Sequence, residues 1–278
     1  MPLSRAEMVL AAKGAGFSEV SERLVTDWAQ LGLLDHPRRA PRPKGSGQGA
    51  FYQWSDNQRE LFLLLLRWRQ VVRSVGALAE VTVAVWLYRD DEWATLAQVR
   101  RVLKTWRGRS PRSYEQAERD ARTIWRAAFG DIQVPEDRRR FIKALTDLTY
   151  RRVADEANVR ELVVALFKRV RGHQSWGPFS FDAEDVARWI YMLIAGVERF
   201  EKLDDDLWNE ARKRHRQLIF VYSREWSRLS QDPQVGWLFE DQTSKPFITN
   251  ACEILLAGLG TLALELEKGD QPAPLTDG

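Results

Sequence analysis

Hydrophobic residues recur at intervals of three and four along most of the chain, which is the period of an amphipathic helix. After residue 74 this pattern predicts successive helices near 75–88, 91–107, 111–129, 135–171 with a break near Asn158, 182–202, 204–230 and 245–268. No strand-like alternation interrupts them. We therefore expect residues 74–268 to form an all-helical domain with one core, followed by a flexible tail at 269–278.

Two shorter helices are predicted before this domain. The segment Ser4-Arg5-Ala6-Glu7 has the spacing of a capping box, and the helix that it begins is expected to end at Gly14 and Gly16. The second helix runs from Ser21 to Leu31 and ends at Gly32, because glycine readily adopts the left-handed conformation. An apolar stripe along this helix comprises Leu24, Val25, Trp28 and Leu31.

A basic loop follows the second helix. Residues 36–49 contain three prolines and three glycines, which exclude a helix there. Residues 50–54 are the best strand candidate in the chain, and the capping box Ser55-Asp56-Asn57-Gln58 begins another helix. We therefore expect the first 73 residues to form a separate N-terminal domain with the order helix, helix, loop, strand, helix.

The basic charge of the protein is concentrated in this N-terminal domain. Lys and Arg exceed Asp and Glu by four over residues 1–73, whereas the remainder has a net charge of −1. Within residues 38–73 there are eight basic and two acidic side chains. A basic segment beside a nearly neutral body is typical of a phosphate-binding module.

Other features restrict the function. One cysteine, Cys252, excludes an internal disulfide and a thiolate metal cage, and three histidines offer little for another metal site, so no metal or cofactor is expected. No serine, cysteine or lysine has a recognisable nucleophile setting, so we do not expect an enzyme. The N-terminus has no signal-peptide pattern and no stretch approaches ~20 apolar residues, so we expect a cytoplasmic protein without membrane contact.

The N-terminal segment, over about residues 4–72, resembles the MerR family of DNA-binding regulators. The order of its elements is that of a winged helix-turn-helix. The residues that carry the resemblance are Val20, Ser21, Arg23, Val25, Trp28, Gly32, Leu33, Leu34, Arg38, Arg39, Tyr52 and Ser55.

The resemblance implies that helix 21–31 enters the major groove of double-stranded DNA and that the wing, residues 38–50, lies on the flanking phosphates. The candidate DNA contacts are Ser21, Arg23, Thr26, Gln30, Arg38, Arg39, Arg42, Lys44 and Tyr52. Trp28 belongs to the apolar stripe and is expected in the core. Tyr52 and Trp54 either reach the DNA backbone or pack the wing.

Three functions stay open. Transcriptional regulation is the function that the resemblance implies first. An architectural, excisionase-type or segregation protein of a mobile element is an alternative that uses the same module. A protein-interaction scaffold with a vestigial winged helix is favoured by Thr26 and Asp27, which stand where the family usually has arginine and tyrosine.

The helical domain contains nine of the twelve tryptophans, and two interpretations compete. They fill a helical core, or some of them line a pocket for a small apolar or aromatic effector. The candidate pocket residues are His173, Trp176, Phe179 and Trp189. The domain is also a candidate for self-association into a homodimer.

Overall fold

A computed structural model describes residues 3–40, 51–72, 74–108, 113–129, 134–151, 154–170, 183–230 and 251–269. The predominantly helical fold predicted from the sequence is confirmed. The chain divides into two compact units, Met1–Gly108 and Arg109–Gly278. The sequence pattern placed the domain boundary at residue 73. The next two helices instead belong to the N-terminal unit, for a reason given below.

The N-terminal unit consists of five helices and a two-stranded hairpin among its described residues. They are α1 (Arg5–Gly14), α2 (Glu22–Leu31), β1 (Arg38–Ala40), β2 (Phe51–Gln53), α3 (Asp56–Arg69), α4 (Val75–Tyr88) and α5 (Leu96–Arg107). At the start of α1, Glu7 N donates to Ser4 Oγ (3.3 Å) and Ser4 N donates to the Glu7 carboxylate (2.6 Å). The predicted capping box is therefore complete, and its hydrogen bonds lower the pKa of Glu7.

The hairpin has one strand more than the sequence pattern predicted. β1 pairs antiparallel with β2, and Leu3 forms a further bridge with Trp54 through backbone hydrogen bonds of 2.7 and 2.8 Å. Three residues beside a proline carry no local strand pattern. They become a strand because β2 supplies their hydrogen-bond partners, which composition alone cannot reveal.

The core of the N-terminal unit lies between α1, α2 and α3. Trp28 is buried and its ring meets Phe62 edge-on at 5.4 Å between centroids, so its predicted place in the core is confirmed. Met8 and Val25 are also fully buried. α4 is apolar around most of its circumference and is buried along most of its length, as expected for a helix enclosed by others.

A buried polar network fixes the turn that follows α2. The side-chain amide of Gln58 accepts from Asp35 N (2.7 Å) and donates to Trp93 O (2.7 Å) and to the side chain of Gln98 (3.0 Å). Leu33 O in turn accepts from the side chains of Gln98 (3.0 Å) and Thr82 (3.1 Å). The turn thus obtains its hydrogen-bond partners from α3, α4 and α5.

The carboxylate of Asp35 extends this network. It accepts from Arg101 Nη2 at 2.9 Å and from Thr95 Oγ1 at 3.0 Å, and both donors are at least partly shielded from solvent. Thr105 Oγ1 donates to Leu31 O at 2.7 Å, which satisfies a carbonyl at the end of α2. α4 and α5 therefore belong to the N-terminal unit because they complete the hydrogen bonds of its central turn.

Gly32 allows α5 to approach this turn closely. Its φ of 80° is left-handed, as the sequence predicted for the end of α2. A Cβ atom at this position would lie 2.5 Å from Val102 N. Glycine is therefore required here for both its backbone conformation and its lack of a side chain.

Two predicted details of this region are wrong. Ser55 Oγ accepts from Gln58 N (3.2 Å), but the Gln58 side chain is committed to Asp35, so the second capping box is only half formed. α5 begins at Leu96 and not at residue 91, because Thr95 accepts from Gln98 N (3.2 Å) and is its N-cap. Asp90, Asp91 and Glu92 lie in the preceding turn.

The second unit consists of helices packed on helices in its described part. They are α6 (Tyr114–Phe129), α7 (Pro135–Arg151), α8 (Glu156–Val170), α9 (Ala183–Arg199), a 3-10 turn (Phe200–Lys202), α10 (Asp205–Ser230) and α11 (Ala251–Glu267). Successive helices from α6 to α9 pack on one another, and α11 packs against α9 and α10. Trp125 and Trp208 are fully buried in this unit, as the core interpretation of the tryptophans predicts.

The contact between α9 and α11 brings backbone against backbone. A Cβ atom on Gly260 would lie 1.8 Å from Met192 O, and one on Gly196 would lie 1.9 Å from Leu256 O. Neither position has room for a methyl group, so the two glycines set the distance between the helices.

None of the helices in the described ranges combines the length and the apolar character that crossing a bilayer requires.

We predict that Gly260→Ala lowers the free energy of unfolding by at least about 2 kcal/mol, because the added methyl forces two packed backbones apart. Gly258→Ala in the same helix is the matched control, since its Cβ would meet Ala211 Cβ at an ordinary 3.8 Å. We expect the control to be neutral or to gain up to about 1 kcal/mol from helix propensity. Urea denaturation followed by circular dichroism measures both changes, and equal stabilities would contradict the close helix crossing.

We predict that Gln58→Ala destabilises the protein by roughly 3 kcal/mol, because it removes the partners of Asp35 N, Trp93 O and Gln98. Asn57→Ala is the control on the adjacent position of α3, and we expect a change within about 0.5 kcal/mol. Chemical denaturation gives both values. Similar effects of the two substitutions would mean that the network contributes nothing beyond ordinary helix contacts.

Candidate functional site

Four polar residues share the outer face of α2. At about 100° per residue, Arg23, Thr26, Asp27 and Gln30 fall within an arc of roughly 100°. The opposite side carries the buried Val25 and is turned into the core. We refer to Arg23, Thr26, Asp27 and Gln30 as the α2 face.

The side chains of the α2 face differ in their exposure to solvent and in the partners that they contact within the protein. Arg23 is 90% exposed and forms an ion pair of 3.7 Å with Asp27, which is half exposed. Gln30 is exposed. The hydroxyl of Thr26 donates to Glu22 O at 3.1 Å, so its proton is used within the helix. Arg23 and Gln30 are therefore the side chains of this face most able to reach another molecule.

Ser21 acts on the backbone of α2. Its Oγ accepts from Leu24 N at 3.3 Å, as the N-cap that the sequence predicted. This bond satisfies one of the free amides at the start of the helix. The hydroxyl of Ser21 is therefore used to cap the N-terminus of α2.

The hairpin is anchored directly after α2. Trp54 follows β2, is buried, and donates from Nε1 to Asp35 O at 2.8 Å. Asp35 is four residues beyond the end of α2 and is itself held by the polar network. The base of the hairpin therefore has a fixed place next to the end of this helix, and Trp54 packs the hairpin.

The two arginines of β1 lie on opposite faces of the hairpin. Arg39 pairs with Tyr52 in the strand register, so the two side chains share a face, and both are exposed. Arg38 pairs with Gln53 on the other face. There it lines a cleft of about 440 Å³ together with Asp91 and Glu92.

The structure thus brings together part of the predicted site. The candidates on α2 share its outer face or its N-cap, and Arg39 and Tyr52 share one face of the hairpin, whereas Arg38 faces away from them. Arg42 and Lys44 lie outside the described residues. So do His173, Trp176 and Phe179 of the predicted effector pocket, and the remaining residue of that set, Trp189, is partly buried in α9.

Sequence reasoning missed the residues that hold α2 in place. Asp35, Gln58 and Gln98 belong neither to the α2 face nor to the hairpin face of Arg39 and Tyr52, yet they fix the turn between α2 and the hairpin. A usable indication was present in α5, where Gln98 and Thr105 recur at helical spacing beside the apolar stripe. Polar side chains on the inner face of a helix need buried partners, and backbone carbonyls of a turn are such partners.

The described part of the chain contains no group of three or more His, Cys, Asp or Glu side chains placed to hold a metal ion. The side chains of the site offer hydrogen bonding, the positive charges of Arg23 and Arg39, the carboxylate of Asp27 and the ring of Tyr52.

Comparison of the chain with models of protein families, with curated proteins and with solved structures gave no significant match.

Proposed function

We propose that the N-terminal unit is a winged helix-turn-helix module that binds double-stranded DNA, and that the protein is a cytoplasmic transcriptional regulator. α2 would enter the major groove and the β1–β2 hairpin would lie on adjacent phosphates. The observation that carries the proposal is the hairpin face of Arg39 and Tyr52, anchored through Trp54 directly after the exposed face of α2.

The dimensions of α2 support this placement. A helix with its side chains is about 10–12 Å across, which matches the major groove of B-DNA at about 12 Å wide, and the ten residues of α2 make it about 15 Å long. Arg23 lies in the first turn of α2, where recognition helices contact base edges. The guanidinium of an arginine matches the two acceptors of guanine, and the amide of Gln30 matches the edge of adenine.

The hairpin supports contact with the DNA backbone. Arg39 supplies a positive charge and Tyr52 a hydroxyl donor on the same side of a two-stranded sheet. Both groups hydrogen-bond to phosphate oxygens in protein–DNA complexes. Contacts of this kind position a protein on the duplex without reading its sequence.

Asp27 is the observation that favours a second candidate, binding of another protein through the α2 face. Its carboxylate pairs with Arg23 and would repel phosphates near the same surface. A mixed-charge face suits a protein partner with complementary charges. The same DNA-binding surface would also serve an architectural protein of a mobile element, which differs from a regulator in where on the genome it binds.

Selection of genomic fragments by the purified full-length protein separates these functions. Recovery of a few discrete sites upstream of genes supports a regulator, and sites at the ends of a mobile element support the architectural alternative. Failure to enrich any fragment at low and at moderate salt would reject DNA binding and leave the protein-interaction role.

We predict that Arg23→Ala weakens binding to the selected site by about 1–3 kcal/mol, since it removes a base-edge contact from the α2 face. Arg140→Ala is the matched control, because Arg140 is also exposed and also pairs with a carboxylate four residues away, Glu136, in the other unit. Fluorescence anisotropy with labelled duplex measures affinity. The prediction fails if a folded Arg23→Ala protein binds as tightly as the control.

We predict that Arg39→Ser and Arg38→Ser have different effects on the salt dependence of DNA binding. One phosphate contact contributes about 0.9 to the slope of log affinity against log salt concentration. Arg39→Ser should reduce the slope by about this amount for specific and random DNA alike, while Arg38→Ser should leave it unchanged because Arg38 faces the cleft.

The melting temperature is the control for the hairpin variants. Both side chains are exposed, so neither substitution should change it appreciably. If Arg38→Ser reduced the salt slope and Arg39→Ser left it unchanged, the face of the hairpin that carries Arg38 would be the one on DNA. A large fall in melting temperature would show that the arginines stabilise the fold.

A further inference from the structure

A second candidate binding site lies in the C-terminal unit, between α6 and α7. The two helices pack through Trp125 and Phe141, whose rings meet edge-on at 5.4 Å between centroids. Beside this contact is a cleft of about 570 Å³ that reaches the first turn of α7 at Pro135. Its wall includes the buried side chain of Ile142.

The charge around this cleft is strongly one-sided. Four basic side chains line it, Arg122, Arg138, Arg139 and Lys143, against a single carboxylate, that of Glu118. Glu118 is bound to Arg122 on the same helix. Within the described part of the chain, the side chains of Arg138, Arg139 and Lys143 form no ion pair or hydrogen bond, so three positive charges are left to the cleft.

The neighbouring arginine shows that this arrangement is not general to α7. Arg140 forms an ion pair of 2.9 Å with Glu136 and does not line the cleft. Helical geometry thus sends one arginine of the run 138–140 to a carboxylate and the other two toward the cleft. Like charges that converge on a concave surface repel one another, and a bound anion relieves that repulsion.

The cleft also has the groups that would hold an uncharged part of a ligand. Tyr114 lines it, and its ring is fixed by a hydrogen bond from its hydroxyl to Asp147 (3.0 Å) and by an edge-on contact with Tyr150 (5.5 Å). Together with Pro135 and Ile142 it provides an aromatic and apolar wall. Clefts of roughly 300–1,000 Å³ accommodate small molecules.

We propose that this cleft binds a phosphorylated small molecule of about nucleotide size. Arg138, Arg139 and Lys143 hold its phosphates, since guanidinium groups bind phosphate oxygens in pairs and lysine adds a point charge. Tyr114 packs against its flat or apolar part. None of the residues that line the cleft is among the candidate DNA contacts of the N-terminal unit.

Isothermal titration calorimetry on the full-length protein tests the proposal with three probes: pyrophosphate, ADP and adenosine. We expect pyrophosphate and ADP to bind and adenosine, which lacks phosphate, to bind at least about tenfold more weakly than ADP. Replacing Arg138, Arg139 and Lys143 together by glutamine should lower the affinity for both phosphorylated probes by about tenfold or more. Arg140→Gln should change it by less than about twofold.

Three results would overturn the proposal. The first is that neither pyrophosphate nor ADP binds the wild-type protein, with circular dichroism confirming that it is folded. The second is that Arg140→Gln weakens binding as much as the triple substitution, which would indicate general charge attraction. The third is that a short DNA duplex displaces ADP from the wild-type protein, which would assign the cleft to a nucleic-acid backbone.

Discussion

The N-terminal unit depends on the hydrogen bonds of the Gln58 side-chain amide. This amide joins α3, the turn after α2 and the start of α5 by accepting from one backbone amide and donating to a carbonyl and a second amide side chain. Without it, buried polar groups of three chain segments would lose their partners, at a cost of about 1–3 kcal/mol each. The position of α2 and of the hairpin is therefore decided by helices that come later in the chain.

Several features that depend on neighbouring residues were predicted correctly from the sequence. α4 has the predicted bounds, 75–88, and Ser21 and Gly32 delimit α2 as expected, because caps and left-handed glycines act over a single turn. Features that depend on distant partners were not. β1 exists through its pairing with β2, and the unit boundary at residue 108 follows from hydrogen bonds that reach from α5 back to the turn after α2.

The same division applies to the two candidate sites. Helical period alone places Arg23 and Gln30 together on the exposed face of α2, whereas the different surroundings of Arg38 and Arg39 follow from a strand register that the sequence does not specify. The three consecutive arginines at 138–140 are evident in the sequence. Which of them is available to a ligand depends on which has a carboxylate within reach. Helical spacing already pairs Arg140 with Glu136, four residues earlier, whereas only the folded helices show that Arg138 and Arg139 line a cleft.

The backbone contact between α9 and α11 limits the motions open to the C-terminal unit. If α11 slid by one turn along α9, Leu256 or Leu264 would arrive where Gly260 now lies against the Met192 carbonyl, and a leucine cannot fit there. The close contact therefore opposes sliding of one helix along the other. The contact between α6 and α7, where aromatic side chains separate the helices, carries no such backbone block.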